Sequence, residues 1–126
     1  MFLEHVNLTV ADLDRSIDFY SRLFGWRLRW KGAASSGRPA AHLGDDRYYL
    51  ALFETPQNGT ASRDMERLGI NHFGFVVDDL DDLKSRLAQL GIDPHHQDDY
   101  DPGRRLYFLD PDGIEVELVE YEPATA

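Results

Sequence analysis

The chain has 126 residues, no cysteine and a formal net charge of −10, with 42% hydrophobic and 29% charged residues. That length suits one compact domain with a sizeable core. The acidic field repels phosphate backbones, so no nucleic-acid partner is expected. The lack of cysteine excludes disulfides, thiolate metal sites and a Cys nucleophile. No apolar run approaches the ~20 residues of a membrane span. The start, MFLEHVNLTV, has neither the basic opening nor the small-residue cleavage site of a signal peptide. A cytoplasmic protein with no membrane partner is therefore expected.

The chain repeats itself. LEHVNLTVADLDRSIDFYSRLFG at 3–25 and INHFGFVVDDLDDLKSRLAQLG at 70–91 share a His in third place, an apolar run, an acidic turn, a helical stretch and a closing Gly. An internal repeat of this length points to two similar units packed as one fold. In the first copy Val6, Leu8 and Val10 alternate with His5, Asn7 and Thr9, the period of a strand with one apolar face. Asp12 or Asp14 is placed to cap a helix carrying Ile17, Tyr20, Leu23 and Phe24, and Gly25 to end it in a left-handed conformation. WRLRW, AAHL and YYLALFE read as strands, and KGAASSGR at 31–38 as a loop suited to a mobile flap. TPQNGTASRDMERLG is polar and rich in breakers, which gives module one about 1–57, a linker about 58–68 and module two about 69–122 of a single domain.

In the second copy Phe73, Phe75 and Val77 alternate with His72, Gly74 and Val76. Leu80, Leu83, Leu87 and Leu90 form a helical stripe that Gly91 closes. HHQDDYDPG reads as a polar loop, RRLYFLD as a strand, DPDG as a tight turn and IEVELVEY as the last strand. Each unit is thus β-α-β-β-β. Such a unit cannot bury both sheet faces alone, so the two are expected to pair, with any ligand on the concave side.

His5 and His72 hold equivalent places in the two copies, and a pseudo-twofold axis would let both imidazoles reach one centre. Glu117 lies mid-strand between Val116 and Leu118, where a carboxylate is costly to desolvate unless compensated. Taken singly, each His reads as a satisfied strand residue, and Glu117 as facing solvent beside Glu115. Taken together, two imidazoles and a carboxylate suit Fe, Mn, Zn, Ni or Co with coordination positions left open. The repeat symmetry favours the second reading.

EHVNLTVADLDRSIDFYSRLFGW, INHFGFVVDDLDDLKSRLAQLG and LYFLDPDGIEVELVEY carry a resemblance to the vicinal oxygen chelate superfamily of glyoxalases, bleomycin-resistance proteins, fosfomycin-resistance enzymes and extradiol dioxygenases. The resemblance implies an α+β fold of two βαβββ modules in pseudo-twofold arrangement, forming a cupped mixed sheet around a divalent metal. It places the metal ligands at His5, His72 and Glu117. It implies a metal-dependent enzyme of isomerase, lyase or dioxygenase type acting on a small oxygen-bearing substrate. The alternatives are a metal-free binder of the bleomycin-resistance type and, further off, a fosfomycin-modifying transferase. A homodimer is expected, since small members of the family often pair.

Departures from family patterns narrow the reaction. The place of the fourth ligand of glyoxalase I falls on Ala51, and Glu54, three residues on, should face the other way. The loop HHQDDYDPGRR has no Lys and nothing basic follows Glu117, unlike the fosfomycin transferases. TPQNGTASRDMERLG has no His to serve as the acid/base of ring cleavage. Tyr107 matches a Tyr ten residues before the metal Glu, and its phenol could hydrogen-bond a bound oxygen. His95 or His96, with His96 preferred, is the candidate acid/base. Arg104 or Arg105, with Arg105 preferred, could pin an anionic group, or else pair with Asp98, Asp99 or Asp101. Asn7 and Thr9 are expected to line the cup with His5. Trp26, Trp30, Tyr48, Tyr49 and Phe53 supply aromatic walls, with Trp30 and Tyr49 the substrate contacts.

Overall fold

The computed structural model describes residues 1–62, 64–100 and 103–122, with backbone alone for Asp99 and Tyr100. Arg63 of the expected linker, Asp101 and the side chain of Asp99 lie outside the described residues. Two compact units are present, Met1–Gly59 and Thr60–Ala126. The first runs β1 (His5–Val10), α1 (Leu13–Phe24), β2 (Arg27–Ala33), β3 (Pro39–Gly44) and β4 (Tyr49–Glu54). The second runs β5 (Phe73–Val76), α2 (Leu80–Gln89), β6 (His96–Tyr100), β7 (Gly103–Leu109) and β8 (Glu115–Tyr121).

Both units have the βαβββ order, and both sheets have the same topology. The first is ordered β1-β4-β3-β2 and the second β5-β8-β7-β6. In each, the first strand lies parallel to the last, and the remaining pairs are antiparallel. The helix supplies the crossover that a parallel pair requires.

The helices start and stop where the sequence puts the right side chains. Asp12, extended at φ −140°, accepts the Arg15 backbone N–H at 3.0 Å, and Gly25 at φ 69° closes α1 through an N–H to Ser21. Asp79 caps α2 in the same way through Asp82 N–H at 3.0 Å. Leu13, Phe19, Tyr20 and Leu23 then face inward from α1, as do Leu80, Leu83 and Leu87 from α2. They meet one face of each sheet: Leu8, Leu43, Leu50 and Leu52 in the first, Leu106, Phe108, Val116 and Leu118 in the second, all buried. Each such side chain contributes about 1.5–3 kcal/mol of burial free energy.

Period-2 alternation sends the intervening residues to the opposite face. Register there aligns Asn7, Ala51, His42 and Trp30 in one row of the first sheet. The equivalent row of the second sheet is Gly74, Glu117, Tyr107 and His96. Ala51 therefore stands where Glu117 stands in the repeat.

Two loops expected from sequence are strands in part. Residues 96–100 of the polar stretch form β6, which pairs Gln97 with Leu106 and Asp98 with Arg105. Charged residues suit it because β6 is an edge strand, where apolar side chains would invite association. The expected flap is also shorter. Lys31–Ala33 continue β2 against β3, and the turn beyond is closed by Ala34 N–H to Arg38 and Gly37 N–H to Ala34.

Candidate metal and substrate site

The DPDG turn sets the second site. Asp110 Oδ1 accepts the backbone N–H groups of Asp112 and Ile114, each at 2.9 Å, and Gly113 takes φ 80°. This hairpin fixes the register that brings Tyr107 directly beside Glu117. Glu117 is 9% exposed, and each of its oxygens has a cationic or imidazole partner. His72 Nε2 lies 3.0 Å from Oε1, and Arg105 Nη1 donates to Oε2 at 2.9 Å. Tyr107 stands directly across from Glu117 in the β7–β8 register. Burial first, then the Glu117 charge, push the Tyr107 phenol above its ordinary pKa, so it is a proton donor in hydrogen bonds at neutral pH. Gly74 makes room for this pairing. A Cβ there would sit 3.2 Å from the Glu117 carbonyl oxygen and 3.3 Å from its Cβ.

A second carboxylate backs the first. Glu115, expected on a solvent face, has a side chain only 10% exposed. One oxygen accepts from His95 Nε2 at 2.9 Å, and the other lies 3.6 Å from His72 Nδ1. His72 Nδ1 is itself held by Asn71 Oδ1 at 2.8 Å. His96 is on the same face as Tyr107, with Nε2 on Asp98 at 2.8 Å. The rings of His72, His95 and His96 all contact Tyr107, with centroids 5.4, 6.1 and 5.5 Å away.

In the first unit His5 opens β1, with its side chain 47% exposed and Nδ1 on Glu4 Oε1 at 2.9 Å. Its ring stacks on Tyr49 at 4.9 Å, with the planes 14° apart. His42 packs on Tyr49 at 4.6 Å, and the Arg29 guanidinium lies 4.5 Å from the same ring. Tyr49 thus packs against His5, His42 and Arg29 at once. Its phenol is raised by burial and then by the Glu4 charge, while the hydrogen bond from His5 holds the Glu4 carboxyl below its usual range. Burial first, then the neighbouring His5 and the Arg29 guanidinium, lower the His42 pKa from its ordinary value, which favours its neutral imidazole at neutral pH. Trp30, 43% exposed, leans on His42 at 5.0 Å. Asn7 and Thr9 are exposed on the His5 face. Trp26 contacts Tyr48, Phe24 and Tyr20.

Arg104 and Glu54 have structural partners on the helix side. Arg104 donates to Glu120 at 2.9 Å and Asp81 at 3.2 Å, while Glu54 accepts the Leu13 N–H at 3.0 Å and Arg38 at 3.3 Å. Glu54 thus faces away from Ala51, as its spacing implied. Glu4, Asn71, His42 and Glu115 are the polar residues that sequence reasoning missed. The first two were legible as immediate neighbours of His5 and His72, and the others as residues in step with Ala51 and Glu117.

Among the described residues, no group of three or more His, Cys, Asp or Glu side chains is gathered so as to hold a metal ion. Two donor atoms of the kind that divalent cations take do lie side by side. An imidazole nitrogen and a carboxylate oxygen converge at 3.0 Å, and Arg105 occupies only the other oxygen.

The sequence model of the Glyoxalase/Bleomycin resistance protein/Dioxygenase superfamily matches residues 2–118. The chain belongs to this superfamily. It is 30% identical to the metallothiol transferase FosB of Lysinibacillus sphaericus, over 92% of this chain and 79% of that protein. It is 32% identical to the glutathione transferase FosA of Serratia marcescens, over 92% and 78%. The crystal structure of a glyoxylase/bleomycin resistance protein/dioxygenase domain from Frankia superposes with a TM-score of 0.84 at 29% identity, covering 99% of this chain and 95% of that one. The two βαβββ units are those of the superfamily fold. No helix among the described residues is long and apolar enough to cross a membrane.

Proposed function

We propose that this superfamily member is a metal-dependent enzyme acting on a small organic substrate that presents oxygen atoms to a divalent cation. The observation that carries the reading is the convergence of His72 Nε2 and Glu117 Oε1 at 3.0 Å on a largely buried carboxylate. His72 and Glu117 would be two ligands, and His5, the equivalent residue of the first unit, the third. A cation held there supplies Lewis-acid stabilisation of negative charge developing on a substrate oxygen. Tyr107 offers a hydroxyl beside Glu117, and His96, on the same face, is the acid/base candidate. Arg105 steadies Glu117 by its ion pair, and Asn7, Thr9 and Trp30 are the substrate contacts of the first unit. The chain is further proposed to work as a cytoplasmic homodimer.

Isomerase, lyase and ring-cleaving chemistry all remain compatible with that ligand set. Thiol transfer, as in the names of the two relatives, has less support. The segment before β7 lacks Lys, and nothing basic follows Glu117. One observation favours a metal-free binder of the bleomycin-resistance type: Arg105 already balances the Glu117 charge at 2.9 Å.

Metal analysis by plasma mass spectrometry on tag-free protein separates the readings. A near-stoichiometric divalent metal, lost in His72→Ala and Glu117→Ala, is the expected result. Iron would direct assays to oxygen uptake, and Mn, Zn, Ni or Co to redox-neutral isomerisation or elimination. Protein that contains no metal and takes none up on titration would overturn the enzyme reading in favour of small-molecule binding.

A further inference from the structure

A β-bulge interrupts β2. The ladder pairs Leu28 with Leu43 and Trp30 with His42, and Arg29 is the extra residue between them. Consecutive residues of a regular strand face opposite ways, so Arg29 and Trp30 could not share a face without the bulge. With it they do. Trp30 is in register with His42 and Ala51, and the Arg29 guanidinium lies 4.5 Å from the ring of Tyr49, the register partner of His5. Both side chains are held in place. The Asp45 carbonyl accepts from Arg29 Nη1 at 3.0 Å. The Trp30 indole leans on His42 and lies close over Gly32, where an added Cβ would come within 2.6 Å of Trp30 Cζ2.

We propose that Arg29 and Trp30 form a binding site for a planar organic carboxylate, with the charged group on the Arg29 guanidinium and the flat body on the exposed Trp30 indole. The cations of β2 are not alike. Arg27 pairs with Asp46 and Lys31 with Asp14, whereas Arg29 forms no ion pair among the described residues. This holds in a chain with 23 acidic and 13 basic residues. Glu4 feels the Arg29 charge, but its carboxylate is held by His5 Nδ1 at 2.9 Å. A guanidinium carries five N–H donors, and the Asp45 carbonyl takes one at Nη1. A carboxylate accepts two parallel N–H groups from such a fork, in charge-assisted bonds stronger than neutral ones. Trp30, 43% exposed, offers an apolar face beside that charge. As a substrate subsite the assignment rests on the enzyme reading above. As an anion site it lies within the first unit and needs no metal.

The experiment is a proton–nitrogen NMR titration of the full chain, stripped of metal by a chelator, with benzoate at low ionic strength and with benzamide as the uncharged control. Benzoate should shift the Trp30 indole N–H and the Arg29 Nε–H to saturation, and benzamide should saturate neither. Arg29→Gln should weaken benzoate binding about 10–100-fold. Arg29→Lys keeps the charge without the fork and should fall between Gln and wild type. Trp30→Leu should weaken benzoate severalfold. Arg22→Gln, a change on the outer face of α1, should leave the affinity as it was. No saturable shift with benzoate, saturation by benzamide with equal affinity, or equal benzoate affinity in wild type and Arg29→Gln would overturn the proposal. If Arg29→Gln does not fold, the wild-type shifts decide: centred on Arg29 and Trp30 they uphold the site, and centred elsewhere they refute it. Benzoate binding by a chain that takes up no metal would leave this site standing while the metal-centre reading falls.

Discussion

Glu120 closes the N-terminus of the second helix by accepting the Leu80 backbone N–H on Oε1 at 3.0 Å. It is the counterpart of Glu54, which accepts the Leu13 N–H at the same distance in the first unit. A carboxylate at a helix N-terminus satisfies an orphan donor and complements the helix dipole. Each is also paired with an Arg of its own unit, Arg38 or Arg104.

The Leu80 N–H first, then Arg104, hold the Glu120 carboxyl below its usual value of 4.5. A lowered native pKa means that the contribution to stability is complete above the unfolded value and is lost as pH falls through the folded one. Thermal melts from neutral pH downward should therefore show the wild type losing stability below about pH 4.5 more steeply than Glu120→Gln. At neutral pH the variant should be the less stable of the two. Parallel curves for the two proteins would count against a stabilising role for the ionised group.

The two Asp caps make a matched pair for measurement. Asp12→Ala and Asp79→Ala each remove a side-chain acceptor at the start of a helix and should cost about 1 kcal/mol in urea unfolding. Asn at either place should recover most of that loss, because its amide oxygen accepts the same N–H.

Phe108 is fully buried on the helix side of the second sheet. Phe108→Ala should destabilise by about 3–5 kcal/mol, enough to unfold a marginal domain near body temperature. Leu in its place should recover a good part of the loss by refilling the cavity, as read by the urea midpoint.

Gly74 tests the site without touching a ligand. Alanine there would put a methyl 3.3 Å from Glu117 Cβ and 3.2 Å from its carbonyl oxygen, so the β8 strand must give by a few tenths of an ångström. The expected outcome is a severalfold loss of divalent-metal affinity with far-UV circular dichroism close to wild type. Unchanged metal affinity would mean that the His72–Glu117 approach tolerates the displacement.

Much of this architecture was legible because the repeat is written in local chemistry. Asp12, Gly25, Asp79 and the period-2 runs at β1 and β8 act within a few residues of themselves, so a linear reading finds them. The special place of Ala51 came from the family resemblance, and its equivalence to Glu117 from the register of the two sheets. What the sequence concealed were choices made across strands. HQDDY has no strand-like composition, and it becomes β6 because β7 offers Leu106 and Arg105 in register with Gln97 and Asp98. Arg105 was expected at a substrate anion or at an Asp, and its ion pair with Glu117 depends on register across β7 and β8 that no local pattern reveals. Tyr49 was expected as a pocket wall, but the packing of His5, His42 and Arg29 around one ring is settled only when β1, β3 and β4 come together.

The acidic character of β6 bears on more than chemistry. This strand is the outer rim of its sheet, and a rim of bare backbone amides is adhesive toward any extended chain. The charge at Asp98 makes that rim self-repelling in a concentrated solution. A replacement of Asp98 by Val would raise turbidity before it slowed any reaction.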